Sequence, residues 1–380
     1  LIFEVCKEKA PAFAGQACRL ITNWQLETHS LEAGKDAAFR ATQFNPDLLP
    51  EILNRLAEAG WDEASRRELG FTRAEICCRA GEKYYPSGLA LYSELITQNF
   101  ELNFRDILKG LKCYPKDYWP ARQLELNIFS RLTPDLYPLA FSEIKTILAE
   151  FGQQHAEEML AALDAMDQAI PDTHLMRVQI LETCKNLEGA AAALLELQQA
   201  LPDQLELIEQ TIDGLIKRYP DVFQLQIAFG DIEGNAQKWN EAIRIYRGVQ
   251  QHSPIHIPQL LQRYIDMIVH QPDDCQARWA LAQSYQTLED PDQAALYLDQ
   301  ITELDLNATD QAANLAGELT GQWPQSGAAW FIRGKLAYKQ NLWKEALELL
   351  ERAREEGLGE IYLVRLHDML ARAYHATENL

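Results

Sequence analysis

The sequence predicts an all-α protein, a right-handed superhelical α-solenoid of units about 52 residues long, each with three helices. Three observations point there. Seven of the sixteen prolines are followed directly by aspartate, at Pro46, Pro134, Pro171, Pro202, Pro220, Pro272 and Pro291. Proline cannot continue a hydrogen-bonded helix, and an aspartate side chain can accept from the free amides of a new first turn, so each pair predicts a corner between two helices. Between corners, apolar residues recur at three and four, as in Leu205, Ile208, Ile212, Leu215 and Ile216, the stripe of an amphipathic helix. Finally, Pro115, Pro171, Pro220, Pro272 and Pro324 stand 56, 49, 52 and 52 residues apart, which predicts a structural repeat. Alternating, strand-like patterns are nearly absent, and only Leu1 to Cys6 reads as extended.

In chain order, residues 1–100 differ in texture from the rest and form an N-terminal helical cap or module, with AEAGWDEASRREL at 57–69 and YYPSGLALYSELI at 84–96 each predicting a helix after a corner. Residues 101–380 carry the repeats. Weak versions occupy 116–170 and 172–219, followed by helices at about 221–235, 239–252 and 256–271, then 273–288, 291–304 and 308–322, then 326–340, 343–356 and 360–376. Shifting the sequence by 52 superposes Ala242, Ala294 and Ala346, and likewise Gly230, Ala282 and Gly334. Tyr246, Leu298 and Leu350 coincide, as do Val249, Ile301 and Ala353. Small residues recur where two helices must cross closely. A helix of some 15 residues cannot bury its stripe alone, and stacked neighbours supply the cover.

The first two helices of each triplet resemble the tetratricopeptide repeat, which sets a small residue and an aromatic on its first helix and alanines on its second. The matching residues are Phe229, Gly230, Ala242, Tyr246 and Pro254 in 223–254. In 275–305 they are Leu281, Ala282, Tyr285, Ala294, Leu298 and Ile301, and in 327–357 Trp330, Gly334, Ala346, Leu350 and Ala353. The family repeats every 34 residues, and about 18 more intervene here, enough for one extra helix. The resemblance implies a groove lined by the first helices. By position it selects Ile227 and Asp231, then Trp279, Gln283 and Gln286, then Phe331, Lys335 and Tyr338. An internal role for Trp279 and Phe331 beneath the third helix weighs at least equally. Family members that clamp a chaperone's C-terminal carboxylate carry Lys and Asn where this chain has Asp231, Gln283 and Lys335, so that specificity is not expected.

Charge and motifs narrow the function. Over 380 residues, 35 Lys and Arg against 56 Asp and Glu leave a formal net charge of −21, which repels polyphosphates and anionic lipid surfaces. No apolar run reaches the roughly 18 to 20 residues of a membrane-spanning helix. Leu1 in place of Met suggests numbering that starts inside a longer product or after processing. Seven scattered cysteines without a CxxC pair predict a reduced compartment, hence a cytoplasmic protein, and Cys77 with Cys78 read as ordinary buried thiols. Eleven basic residues in 55–122, among them Arg66, Arg67, Arg105, Lys109, Lys112 and Lys116, nearly balance the nearby acids and read as solvated surface.

No phosphate-binding, GxSxG, HExxH or calcium-loop signature occurs. His252 and His256 are separated by Pro254, which breaks the helix that would place both on one face. Tyr114 to Trp119 offers either an aromatic platform or, more simply, a wedge between helices. The reading is a non-catalytic scaffold, without metal or cofactor, that binds a peptide segment or helix of another protein, a basic or mixed-charge one suiting the acidic field. A second copy of the chain is a further candidate partner. The alternative is the substrate-recognition repeat region of a larger modifying enzyme such as a glycosyltransferase.

Overall fold

The computed structural model describes residues 11–28, 30–59 and 62–378, and every element in them is helical. The extended segment expected at Leu1 to Cys6 lies outside the described residues. In chain order the helices fall into seven triplets. The first is α1 (Pro11–Glu27), α2 (Leu31–Phe44) and α3 (Leu49–Glu58), and the second α4 (Glu63–Arg79), α5 (Tyr85–Gln98) and α6 (Phe100–Leu111). The third is α7 (Trp119–Phe129), α8 (Tyr137–Phe151) and α9 (Ala156–Asp164), and the fourth α10 (Pro171–Thr183), α11 (Leu187–Ala200) and α12 (Leu205–Arg218). Then come α13 (Phe223–Asn235), α14 (Trp239–His252) and α15 (Ile257–His270), and α16 (Cys275–Thr287), α17 (Pro291–Leu304) and α18 (Thr309–Gln322). The last are α19 (Gly327–Lys339), α20 (Trp343–Glu356) and α21 (Glu360–Glu378).

First helices begin at 171, 223, 275 and 327, and second helices at 187, 239, 291 and 343, each 52 residues after its predecessor. Identical corners enforce this register. Lys185, Gln237, Glu289 and Asn341, also 52 apart, are the only non-glycine residues with positive φ among the described residues. Each closes a first helix in the same way. In the turn at Glu289, the Asp290 amide donates to the Tyr285 carbonyl and the Glu289 amide to the Gln286 carbonyl, and the other three turns repeat both bonds at equivalent positions. Two otherwise orphaned carbonyls are thereby satisfied, and the next helix starts after three residues.

Proline plays a different part from the one its sequence context suggests. Pro46, Pro134 and Pro202 begin short 3-10 turns, and Pro171 and Pro291 are the first residues of α10 and α17. A ring that fixes φ and lacks an amide proton is at home in a first turn, where that proton has no intrahelical partner anyway. Side-chain caps come from other residues: Asn45, Asp62, Asn99, Asp274, Asp290, Asp305 and Ser326. The aspartates that follow proline, such as Asp172 and Asp292, lie inside the first turn, where they oppose the positive end of the helix dipole.

The fourth residue of the second helix is small in all seven triplets: Gly34, Gly88, Ala140, Ala190, Ala242, Ala294 and Ala346, every one buried. These are the close crossings. At Gly230 on α13 a β-carbon would come within 2.2 Å of the Tyr246 ring from α14, and at Gly334 within 2.9 Å of Leu350. Bulk on one helix thus faces the absence of bulk on the other.

The chain divides into two compact units between Asn186 and Leu187. In the first, one core gathers Leu49, Ile52, Leu56 and Leu69, and a second, rich in large rings, gathers Tyr92, Phe104, Phe129 and Phe141. Tyr114 and Tyr118 stack at 5.8 Å, and Trp119 stacks on His155 at 3.6 Å, so the aromatic run at 114–119 wedges between helices. The second unit has one core around Tyr246, Leu260 and Tyr264, and another around Leu298, Phe331, Leu350 and Leu366.

Candidate functional site

In the second unit α11, α13, α14 and α15 surround an open cavity of about 450 Å³. The first helix α13 contributes Asp231, Gly234 and Asn235, the second helix Trp239 and Tyr246, and the third Arg263, Asp266, Val269 and His270. Asp231 holds the centre together. One carboxylate oxygen accepts from the Tyr246 hydroxyl at 2.5 Å and from Arg263 Nε at 2.6 Å, and the other accepts from Arg263 Nη2 at 2.7 Å. The hydrogen bond to Asp231 raises the Arg263 guanidinium above its ordinary value, and burial pushes the Tyr246 phenol up. Both therefore keep their protons through the physiological range. Near the mouth, Trp239 and His270 stack at 5.0 Å, and Val269 stands 70% exposed. An aromatic face, an exposed aliphatic side chain and a fixed ion pair can grip a peptide.

The other residues selected by position are distributed differently. Ile227 is buried beside Ala242, Tyr246 and Tyr264. Phe331 is fully buried, with Tyr362 of the third helix α21 at 5.0 Å between ring centroids and Arg365 above its face at 5.9 Å. Lys335, 3% exposed, is enclosed by acids. It pairs with Asp299 and Glu303 of α17, and its ammonium lies 3.2 Å from the Thr302 hydroxyl. Arg365 donates to the same Asp299 carboxylate at 2.5 Å. Lys339 donates to the Thr302 carbonyl at 2.7 Å; burial, with help from neighbouring Lys335, pushes its ammonium below the usual range. Trp279 packs half-buried against the C-terminal core. Gln283 is half-buried, Gln286 reaches Glu318 of α18 at 3.1 Å, and Tyr338 meets Trp343 edge-on at 5.1 Å.

The structure thus brings Asp231 alone of the eight into this cavity, and its walls come largely from the second and third helices. Trp239, Arg263 and His270 were not selected, because counting along first helices leaves out both the second helix, which carries Trp239, and the extra third helix, which carries Arg263 and His270. Their signal was present in part: Trp239 and Trp343 occupy the same first position of α14 and α20.

Among the described residues no three His, Cys, Asp or Glu side chains gather as a metal would require, and no helix is long and apolar enough to cross a membrane. Burial raises the Cys77 and Cys78 thiols to about 11 and about 12, far from the thiolate that reactivity needs.

The family comparison bears on α19 and α20, which carry Trp330, Gly334, Ala346, Leu350 and Ala353 in the arrangement described above. Residues 301–359 match the tetratricopeptide-repeat family model. The matched stretch runs from the end of α17 through α18 to α19 and α20. No curated protein matches. Among solved structures the chain is similar to the P58(IPK) TPR domain, 10% identical over 96% of this chain and 98% of that one, with a TM-score of 0.25. It is similar to yeast Tom70 at 12% over 96% of each chain, TM-score 0.21. It is also similar to the APC/C hetero-tetramer Cut9-Hcn1 at 14% over 97% and 80%, TM-score 0.21. Scores this low carry no functional meaning. Tetratricopeptide repeats commonly mediate contacts between proteins.

Proposed function

We propose that this chain is a non-catalytic adaptor that binds a peptide segment or helix of another protein in the cavity of its second unit. The observation that carries the reading is the lining: an aromatic stack, an exposed valine and an Asp231–Arg263 pair meet in about 450 Å³. Acidic residues favour a basic or mixed-charge partner, since residues 187–380 hold 29 Asp and Glu against 15 Lys and Arg. In this reading residues 1–100 cap the array, residues 101–380 present the binding surface, and the protein works in the cytoplasm. Of the eight residues selected by sequence position, Asp231 contacts the partner directly, Trp279, Gln283, Gln286 and Tyr338 extend the surface, and Ile227, Phe331 and Lys335 support it from within.

Affinity capture from native extract with this chain as bait, read by mass spectrometry, tests the proposal. One dominant protein should be recovered by the natural chain and lost by Trp239→Ala, whose circular dichroism and melting should change little. Equal recovery by both forms would remove this cavity from consideration.

A further inference from the structure

The first unit holds a separate hollow that the adaptor reading leaves unused. Helices α6, α7 and α8, with the short turn before α8, border an open hollow of about 340 Å³, with Leu108, Phe129, Leu136 and Leu139 as its apolar wall and charged side chains around them. Leu139 stands 44% exposed at its edge. Along one side, Arg105 and Lys109 stand four residues apart on α6, both exposed and both without an ion-pair partner among the described residues. Further along, Lys112 is tied to Glu143 of α8 at 2.8 Å, which fixes that edge. The floor holds a polar group in an unusual state. Glu125 is 1% exposed, and Arg122 Nη1 lies 2.9 Å from its Oε2 but out of hydrogen-bonding alignment, so Oε2 accepts no hydrogen bond. Arg122 instead donates through Nη2 to the Leu111 carbonyl at 2.9 Å.

Two cations without an ion-pair partner therefore border the apolar wall, Arg105 also lying over the Phe104 ring at 5.6 Å. Four residues of α-helix rise about 6 Å, so Arg105 and Lys109 match two carboxylates set one turn apart on a facing helix. At about 340 Å³ the hollow has room for a large apolar side chain between those carboxylates. We propose that it receives an aromatic side chain from an acidic amphipathic helix of a partner protein, with Arg105 and Lys109 pairing the flanking carboxylates. A polyphosphate or an anionic membrane would meet the same two cations but would leave the hollow empty. This surface is distinct from the cavity of the second unit, and each can fail without the other.

Fluorescence anisotropy with three labelled, helix-forming peptides of about 16 residues tests this. One carries a Trp with Glu one turn before and after it, the second has Lys in place of both Glu, and the third has Ala in place of Trp. The acidic Trp peptide should bind the full chain roughly tenfold or more tighter than either control, and raised salt should weaken it. Arg105→Glu with Lys109→Glu should reverse the preference between the Glu and Lys peptides. Leu139→Glu should weaken the acidic peptide by a similar factor. All three positions are exposed, so circular dichroism should be unchanged, and Trp239→Ala should leave this binding intact. Equal affinity for all three peptides, no binding of any, or indifference to the double charge reversal would overturn the proposal. So would binding to phosphatidylserine vesicles without discrimination among the peptides.

Discussion

The two units follow one plan, three helices to a repeat with a small residue fourth in every second helix, yet they differ in how strictly it is kept. From residue 187 onward first and second helices are joined by three residues and second and third by three or four. In the first unit the connection between first and second helices is three residues after α1, five after α4, seven after α7 and three after α10. Packing differs in parallel. Phe331 is enclosed on all sides, whereas Phe129, equally buried by surface area, borders an open hollow. Uniform corners allow uniform crossings, and a change in corner length leaves space that must be filled by large rings or stay empty.

Truncating the two phenylalanines should expose this contrast most strongly. Phe331→Ala should cost about 3 to 5 kcal/mol in urea denaturation, while Phe129→Ala should cost clearly less, because part of its surroundings is already vacant. Equal losses would show that the first unit is packed as tightly as the second.

The next effect depends on pH. Burial raises the Glu125 carboxyl to about 7, against the partial opposition of Arg122, with Glu143 raising it further and Lys112 lowering it. The group titrates at its ordinary, lower value in the unfolded chain, so between about pH 4.5 and 7 the unfolded form is ionised while the folded form still holds the proton. Stability is therefore fully present below that window and is lost as pH rises through it, by about 3 kcal/mol. Glu125→Gln should flatten this part of the pH profile of the first unit, followed by hydrogen exchange in α7. An unchanged slope would mean that another group carries it.

The smallest effect concerns the corners. Glu289→Gly relieves a side chain of a left-handed conformation and should stabilise the second unit by up to about 1 kcal/mol. Gly81→Ala in the first unit, where φ is +110°, should lose a similar amount. Differential scanning calorimetry would register both, and shifts of the same sign would contradict the assignment of strain to the corner.

The same contrast explains what could be read from the sequence. A shift of 52 aligns the second unit because its connections hardly vary, and the helices expected at 239–252, 291–304 and 343–356 are found with those bounds. In the first unit the signature persists at Gly34, Gly88 and Ala140; a shift of 52 joins Gly88 to Ala140, but Gly34 lies 54 before Gly88 and Ala190 only 50 after Ala140, so the register breaks on both sides. The groove was harder to read. Position along a first helix left open whether Phe331 faces the groove or packs beneath the third helix, where Tyr362 and Arg365 cover it, and gave no sign that Arg263 of a third helix would hold Asp231. Contacts between helices some 30 residues apart depend on how the triplet closes, and no local pattern encodes that.

The corners at Gln237, Glu289 and Asn341, which repeat the one at Lys185 at the end of the first unit, make the second unit a set of interchangeable cassettes. Excision of residues 238–289 would join Gln237 to Asp290, an exchange between two equivalent points of the same turn, and every downstream helix would keep its phase. Lineages built on such joints can lengthen or shorten by whole triplets through unequal recombination, changing the reach of the surface without redesigning any crossing within it.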